Sequence, residues 1–304
     1  MLNHRTSALS TSEKLPLLEK SRIRKALLNA GKIIISIVLL YFVFTKIPFS
    51  EVAALWKNVN VAYLAGAAIL FLLSQIVSAK RLELYFTTAN FNLSFKSNLE
   101  LYFLGMFYNF FIPGGIGGDA YKIYLLNKKF GWSSRKLTSS LFNDRLSGLI
   151  AICIIICMLS LLSLPEFKFH ALGLSILGLV AGYFLTAKMF RDFKKIYLKG
   201  LGFSLIVQAL QIFCFIFLLK SIGVENGFVH YSLLFLASSI LSLISFAGIG
   251  VREMLFFQAA KYFDFNPAYS VSASLLFTVI TAFFSLLGLF FQIRTLNLKT
   301  TDQL

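Results

Sequence analysis

Apolar runs of membrane-crossing length recur from one end of this 304-residue chain to the other. A helix rises 1.5 Å per residue, so about 17–25 apolar residues span the hydrocarbon of a bilayer. Ala26–Ile47, Val61–Ala79, Leu146–Leu164, Ala171–Ala187, Leu201–Leu219 and Val271–Ile293 meet that length. Composition agrees: 58% of residues are hydrophobic and 14% charged, with 34 Phe against 2 Trp. A soluble domain carries about a quarter charged residues. These numbers exclude a water-soluble enzyme and define an all-α polytopic membrane protein.

Two further apolar runs are interrupted. Leu99–Ile112 stops at Pro113-Gly114-Gly115-Ile116-Gly117-Gly118-Asp119. Tyr231–Phe246 stops at Ala247-Gly248-Ile249-Gly250-Val251-Arg252-Glu253, and a second short run, Met254–Phe263, follows. Runs this short are more often re-entrant than spanning, and Gly or Pro at membrane depth is tolerated where the backbone faces protein or a water-filled cavity. Pro113, Gly114, Gly115, Gly117, Gly118, Gly248 and Gly250 are therefore expected to break two re-entrant segments. The expected architecture has about six full crossings plus these two segments, eight apolar segments in all.

Charge orients the crossings. The formal net charge is +16. In a soluble domain that balance suggests nucleic acid, but here the cations sit in short blocks between apolar runs, so no nucleic-acid partner is expected. With two re-entrant segments and both termini cytoplasmic, 23 of the 29 Lys and Arg fall on the cytoplasmic side and 6 outside. Making Leu99–Ile112 a full crossing exports the six cations of 119–145 and violates the positive-inside rule. The basic segment 1–25 is too long and too charged for the n-region of a cleavable signal. It reads as a cytoplasmic tail, followed by one transmembrane domain over 26–294 and a short tail over 295–304. The domain divides into halves, about 26–165 and 171–294, with the same order of segments in opposite orientation. An inverted pair of interrupted segments is a common way to build a transport site at the midplane.

Three clusters place polar groups where a plain helix bundle has none. Asn109 precedes the first break by about one turn, and Asp119 and Lys122 follow it. A helix starting there exposes unpaired N–H groups that attract phosphate, and Lys122 adds a point charge. The bland alternative is an interfacial turn capped by Asp119. No Gly-Lys-Ser/Thr follows, so this is not a nucleotide loop. Asp144 and Arg145 stand near the start of a long apolar run, as an interhelical pair, a headgroup site or a plain interfacial anchor. Arg252 and Glu253 come directly after the second break. Intramembrane charge is costly and marks a pathway or an internal pair, and the Arg252 fork suits a phosphate or carboxylate. Its alternative is a clasp with an acid of the other half. Gln75, Gln208 and Gln211 add either polar lining or interhelical hydrogen bonds. Cys153, Cys157 and Cys214 read as packing residues. His4, His170 and His230 are scattered, so no metal site and no cofactor are expected.

In order along the chain, Pro113-Gly-Gly-Ile-Gly-Gly-Asp119-Ala-Tyr-Lys122, Asp144-Arg145-Leu-Ser-Gly148-Leu and Gly248-Ile-Gly250-Val-Arg252-Glu253 resemble the signatures of one family. It is the lysylphosphatidylglycerol synthase transmembrane-region family, also described as flippase-like. The resemblance covers roughly residues 25–295 and implies an inner-membrane protein that handles a charged or glycosylated lipid. Two departures stand out: Lys122 where Arg is common, and Asp144 where Glu is usual. Members that synthesise the aminoacylated lipid carry a further soluble domain. The chain ends eleven residues after Ile293, so a stand-alone member without that activity is expected.

The resulting expectation is a lipid translocase with anionic, aminoacylated or glycosylated lipids as partners. Asn109, Asp119, Lys122, Asp144, Arg145, Arg252 and Glu253 would lie on the headgroup path, the carboxylates holding the cations or selecting an amino group. Without an ATP-binding motif, transport would be downhill or ion-coupled. Two other readings stay open. One is a membrane-embedded glycosyl- or acyl-transferase with Asp119, Asp144 or Glu253 as base. The other is a non-transporting scaffold for a lipid-modifying enzyme, and an oligomer is compatible with each.

Overall fold

The computed structural model describes Ile34, Tyr41 and residues 49–111, 117–163, 168–241, 250–263, 265–293 and 297–303. The helices are α1 (Phe49–Lys57), α2 (Val61–Thr88), α3 (Phe95–Phe111), α4 (Gly117–Phe130), α5 (Ser134–Ser163), α6 (Lys168–Met189), α7 (Tyr197–Ser221), α8 (Phe228–Leu241), α9 (Val251–Ala259) and α10 (Pro267–Ile293). A 3-10 turn, Arg191–Ile196, joins α6 to α7, and another, Thr301–Gln303, lies near the C-terminus. Among the described residues the fold is all-helical, apart from one isolated antiparallel bridge between Leu93 and Thr300.

Five helical stretches are long and apolar enough to cross a membrane: Val61–Thr88, Ser134–Leu162, Leu172–Met189, Arg191–Ser221 and Pro267–Phe291. They correspond to five of the six expected crossings. The sixth, Ala26–Ile47, lies outside the described residues except for Ile34 and Tyr41, and Pro113, Gly114, Gly115 and Gly248 lie outside them too. The expected breaks at Gly117 and Gly118 need correction, because both residues are already in the first turn of α4. Gly250 does stand at a break: it precedes α9 with φ +85°, a conformation that disfavours a side chain.

The spans also run further than their apolar cores suggest. α2 continues nine residues past Ala79 to Thr88, and α5 starts at Ser134, ahead of Leu146. Residues 80–88 and 134–145 are therefore helix although they lie outside the apolar runs. Asn60 caps the start of α2 by accepting from the N–H groups of Ala62 and Tyr63.

Antiparallel packing of α2 on α7 forms the centre. The N–H of Asn60, just before α2, donates to the Ser221 carbonyl at the end of α7 at 2.8 Å. At the other end, Gly200 lies against the Tyr85 ring. Lipid tails are as apolar as the helices, so association relies on close contact and buried polar groups more than on water exclusion. Small or polar positions accordingly line the seam: Ala67, Ser74, Ser78 and Ser204 are all buried. Around this pair, α3 packs on α10 and α8 packs on α5. Phe215 stacks on Phe235 and Phe256 at centroid distances of 4.7 and 5.4 Å, tying α7 to α8 and α9.

Each interrupted segment begins and ends at one end of the bundle, and the two segments use opposite ends. Leu101 in α3, Leu126 in α4 and Leu137 in α5 share one buried cluster with Phe86 of α2 and with Phe91 and Leu93 just after it, and Phe91 stacks on Trp132 at 4.7 Å. The start of α3 and the end of α4 therefore lie together. At the opposite end, Tyr231 near the start of α8 meets Phe265, past the end of α9, at 4.6 Å. Lys96, Lys128, Lys129, Arg135, Lys136, Lys188, Arg191, Lys194 and Lys195 gather at the first end, against Lys57, Lys220 and Lys261 at the second.

Residues 297–303 fold back onto the basic end. Ser94 N–H donates to the Lys299 carbonyl at 3.0 Å, Thr301 N–H to the Asn92 carbonyl at 2.9 Å, and Lys299 N–H to Ser97 Oγ at 2.8 Å. Leu298 is buried in the cluster with Phe91 and Leu93.

Candidate functional site

The polar residues of the two interrupted segments converge where α3 and α4 meet α5. α4 can approach α3 closely because Gly118 lies against the carbonyl of Gly105 and the side chain of Asn109. Asn109 Oδ1 accepts from Gly118 N–H at 2.8 Å, satisfying one of the orphan donors of the first turn of α4. Asp119 follows in that turn. Its carboxylate receives Arg145 from α5, with Nε at 3.0 Å on Oδ2 and Nη2 at 3.2 Å on Oδ1, and Lys122 Nζ at 3.2 Å on Oδ1. One carboxylate thus holds two cations, one of them bidentately.

Asp144 does different work from its neighbour Arg145. It takes a two-pronged ion pair from Arg81 of α2, Nε to Oδ1 at 2.8 Å and Nη2 to Oδ2 at 3.2 Å. Arg81 Nη1 also donates to Ser204 Oγ of α7 at 2.8 Å, and Ser204 Oγ bonds to Ser147 Oγ at 3.0 Å. The charge bias places Arg81, two residues past the apolar run that ends at Ala79, among the 23 cytoplasmic cations outside the membrane. That placement is wrong: Arg81 is buried inside the bundle, because α2 continues through it.

Glu253 is fully buried and has both oxygens engaged. Oε2 accepts Gly250 N–H at 2.7 Å, and Oε1 accepts Ser274 Oγ of α10 at 2.7 Å. It fixes the break and latches α9 to α10. Arg252 points elsewhere and has no carboxylate at ion-pair distance among the described residues. The alternative of an Arg252–acid clasp between halves is therefore not what the geometry shows. Arg252 Nε donates to Ser238 Oγ at 3.3 Å, and its guanidinium lies over Phe277 and Phe235, 4.8 and 5.5 Å from their centroids. Aromatic faces stabilise a desolvated cation without neutralising it.

These placements produce a cavity of about 320 Å³ lined by Lys122, Arg145 and Arg252, with Asn109, Gln75, Tyr102, Gln211 and Thr281 among its polar walls. No carboxylate lines it. Asp119, Asp144 and Glu253 stand behind the cations. Arg252 is 7% exposed, whereas 56% of the Arg145 side chain is open. A second space of about 400 Å³ adjoins, sharing Tyr102, Arg145, Gln211 and Ser239 and adding Arg81, Gln208 and the apolar Phe142, Leu149 and Ile152. Three cations facing one space suit an anion with several acceptor oxygens, above all a phosphate.

All seven expected path residues thus fall in or directly behind one region, with only the cations and Asn109 on its surface. Missed were Arg81, Tyr102, Ser274 and the rings under Arg252. A readable signal for Arg81 existed in the spacing Gln75, Ser78, Arg81, Tyr85, one polar helical stripe continuing past the apolar run. Cys157 and Cys214 are buried as expected, but Cys153 is exposed. No group of His, Cys, Asp and Glu among the described residues is arranged to hold a metal ion.

A multi-pass helical membrane protein with a cationic cavity at its interrupted helices is the class these observations define. The sequence profile of the lysylphosphatidylglycerol synthase transmembrane region matches residues 29–199 and 188–288, most of the chain. The chain belongs to that family, which relates it to lipid handling. No curated protein matches it at a significant level.

Proposed function

We propose that this protein moves a phosphate-bearing lipid between leaflets, with the headgroup passing through the cation-lined cavity and the acyl chains remaining in the bilayer. The observation that carries this reading is the cavity itself, where Lys122, Arg145 and Arg252 face one space and no carboxylate is among the described residues that line it. The adjoining apolar slot reaches outward to Phe142 and Leu149, which are both exposed. A slot that is cationic within and apolar toward the surface fits an amphiphile.

In this reading α3–α4 and α8–α9 are re-entrant hairpins from opposite faces, and 26–165 and 171–294 form inverted halves. The antiparallel α2–α7 seam and the reciprocal packing of α3 on α10 and α8 on α5 support it. The cations at the end bearing 89–98, 126–137 and 297–303 favour a cytoplasmic side for that end, and the cell's inner membrane is the proposed location. A transferase would need Asp119, Asp144 or Glu253 as base. Each already accepts two or more hydrogen bonds or ion pairs, which favours transport over catalysis.

Purified protein in liposomes tests the proposal. Fluorescent anionic, aminoacylated and glycosylated phospholipids should exchange between leaflets faster than in protein-free vesicles. Arg252→Gln removes a charge-assisted contact of about 1.5–3 kcal/mol and should slow exchange about tenfold or more. No acceleration with any of these lipids, from protein shown to be folded, would defeat the translocase reading.

A further inference from the structure

A groove of about 410 Å³ opens at the basic end, where the start of α5 meets the junction of α6 and α7. Lys136 and Ser139 line it from α5, and Lys188, Phe190, Arg191 and Asp192 from the junction. The three cations are exposed, and none forms an ion pair with a carboxylate among the described residues. One acid against three bases leaves the groove electropositive.

The groove leads inward. Phe190 in its wall lies against Phe142 of α5, ring centroids 5.4 Å apart. Phe142 in turn lines the slot that contains Arg145. Along α5 the sequence Lys136, Ser139, Phe142, Arg145 is a run of i, i+3 neighbours, an inclined row that winds around the helix and rises about 13 Å. Phe142, Arg145, Leu149 and Ile152 then share one face within the slot. An open arginine at this depth is too costly to face acyl chains alone. Its exposure is accounted for if the row follows a path that headgroups use.

We propose that this groove receives the phosphate-bearing headgroup of an anionic lipid from the leaflet at the basic end. The Phe142–Phe190 pair is the threshold between this surface site and Arg145. Basic pockets between membrane helices on the cytoplasmic side are suited to such headgroups. The site rests on the reading of the inner cavity as a headgroup path, but its occupancy is measured separately from transport.

The test uses the full chain in nanodiscs with a photoactivatable phosphatidylglycerol carrying its reactive group on the headgroup, and peptide mapping of the adducts. Adducts are expected within 134–145 and 186–193. The triple variant Lys136→Gln, Lys188→Gln, Arg191→Gln changes exposed residues only and should cut capture about tenfold, other nearby lysines keeping part of the attraction. A phosphatidylcholine probe should be captured weakly. Unchanged capture by the triple variant, or equal capture of phosphatidylcholine, overturns the proposal. Full competition by inorganic phosphate overturns the lipid assignment in favour of a soluble anion. Phe142→Ala should speed exchange severalfold while leaving capture in place, and slower exchange would overturn the threshold. Capture without any exchange by the unmodified protein would sink the translocase reading and leave the groove standing.

Discussion

Arg81 is gripped from three helices: its own α2, Asp144 on α5 and Ser204 on α7. Removing one partner of a buried pair leaves the other charge stranded, at a cost of about 3–5 kcal/mol. Arg81→Ala and Asp144→Ala should each lower the thermal midpoint in detergent sharply. The double variant should be no worse than the poorer single one, and strict additivity would show that the two do not act as a unit. The same residues show what sequence alone discloses. Asp119, Asp144, Arg145, Arg252 and Glu253 announce themselves as charges beside Gly breaks or apolar runs, so the region was legible. Their partnering was not, because pairing across helices depends on which faces meet. Adjacent Asp144 and Arg145 choose different partners only because successive helical positions point about 100° apart. Arg81 stayed hidden because Lys80-Arg81 looks like an interfacial block until α2 is known to continue.

The interrupted elements owe their geometry to residues without side chains. A methyl group on Gly118 would collide with the Gly105 carbonyl, a backbone atom that cannot swing aside, whereas one on Gly105 would meet only the flexible end of Lys122. Gly118→Ala should therefore separate α3 from α4 and destabilise by about 1–3 kcal/mol. Gly105→Ala should displace Lys122 and slow lipid exchange with a smaller change in unfolding midpoint. Equal midpoints for the two variants would contradict this ordering. The existence of the apolar helices was legible from length and hydrophobicity alone. Their ends were not, since α2 and α5 extend through polar residues that the bundle buries, and an apolar count stops where Ser, Arg and Asp begin.

The whole molecule has two unlike ends, and this polarity can be read by labelling. In a background with Cys153, Cys157 and Cys214 replaced by alanine, single cysteines at Ser134 and Lys299 should react with a membrane-impermeant maleimide from one side, and a cysteine at Glu225 from the other. Ser134 and Glu225 reacting from the same side would dismantle the inverted arrangement. Its outline was legible in the charge bias and the order of segments. The fold-back of 297–303 was not, because a short polar tail carries no periodic pattern that says where it docks. That fold-back has a mechanical meaning. Backbone bonds from Lys299 and Thr301 to the 92–97 turn splice the strand leaving α10 to the connection between α2 and α3. Elements from distant parts of the sequence are thus stitched at the basic face by backbone bonds and the Lys299–Ser97 contact, and at the other face by the bond from Asn60 to the Ser221 carbonyl. The tail and the 92–97 turn therefore move as one piece, like two pages under one staple, and whatever shifts the start of α3 carries residues 297–303 with it.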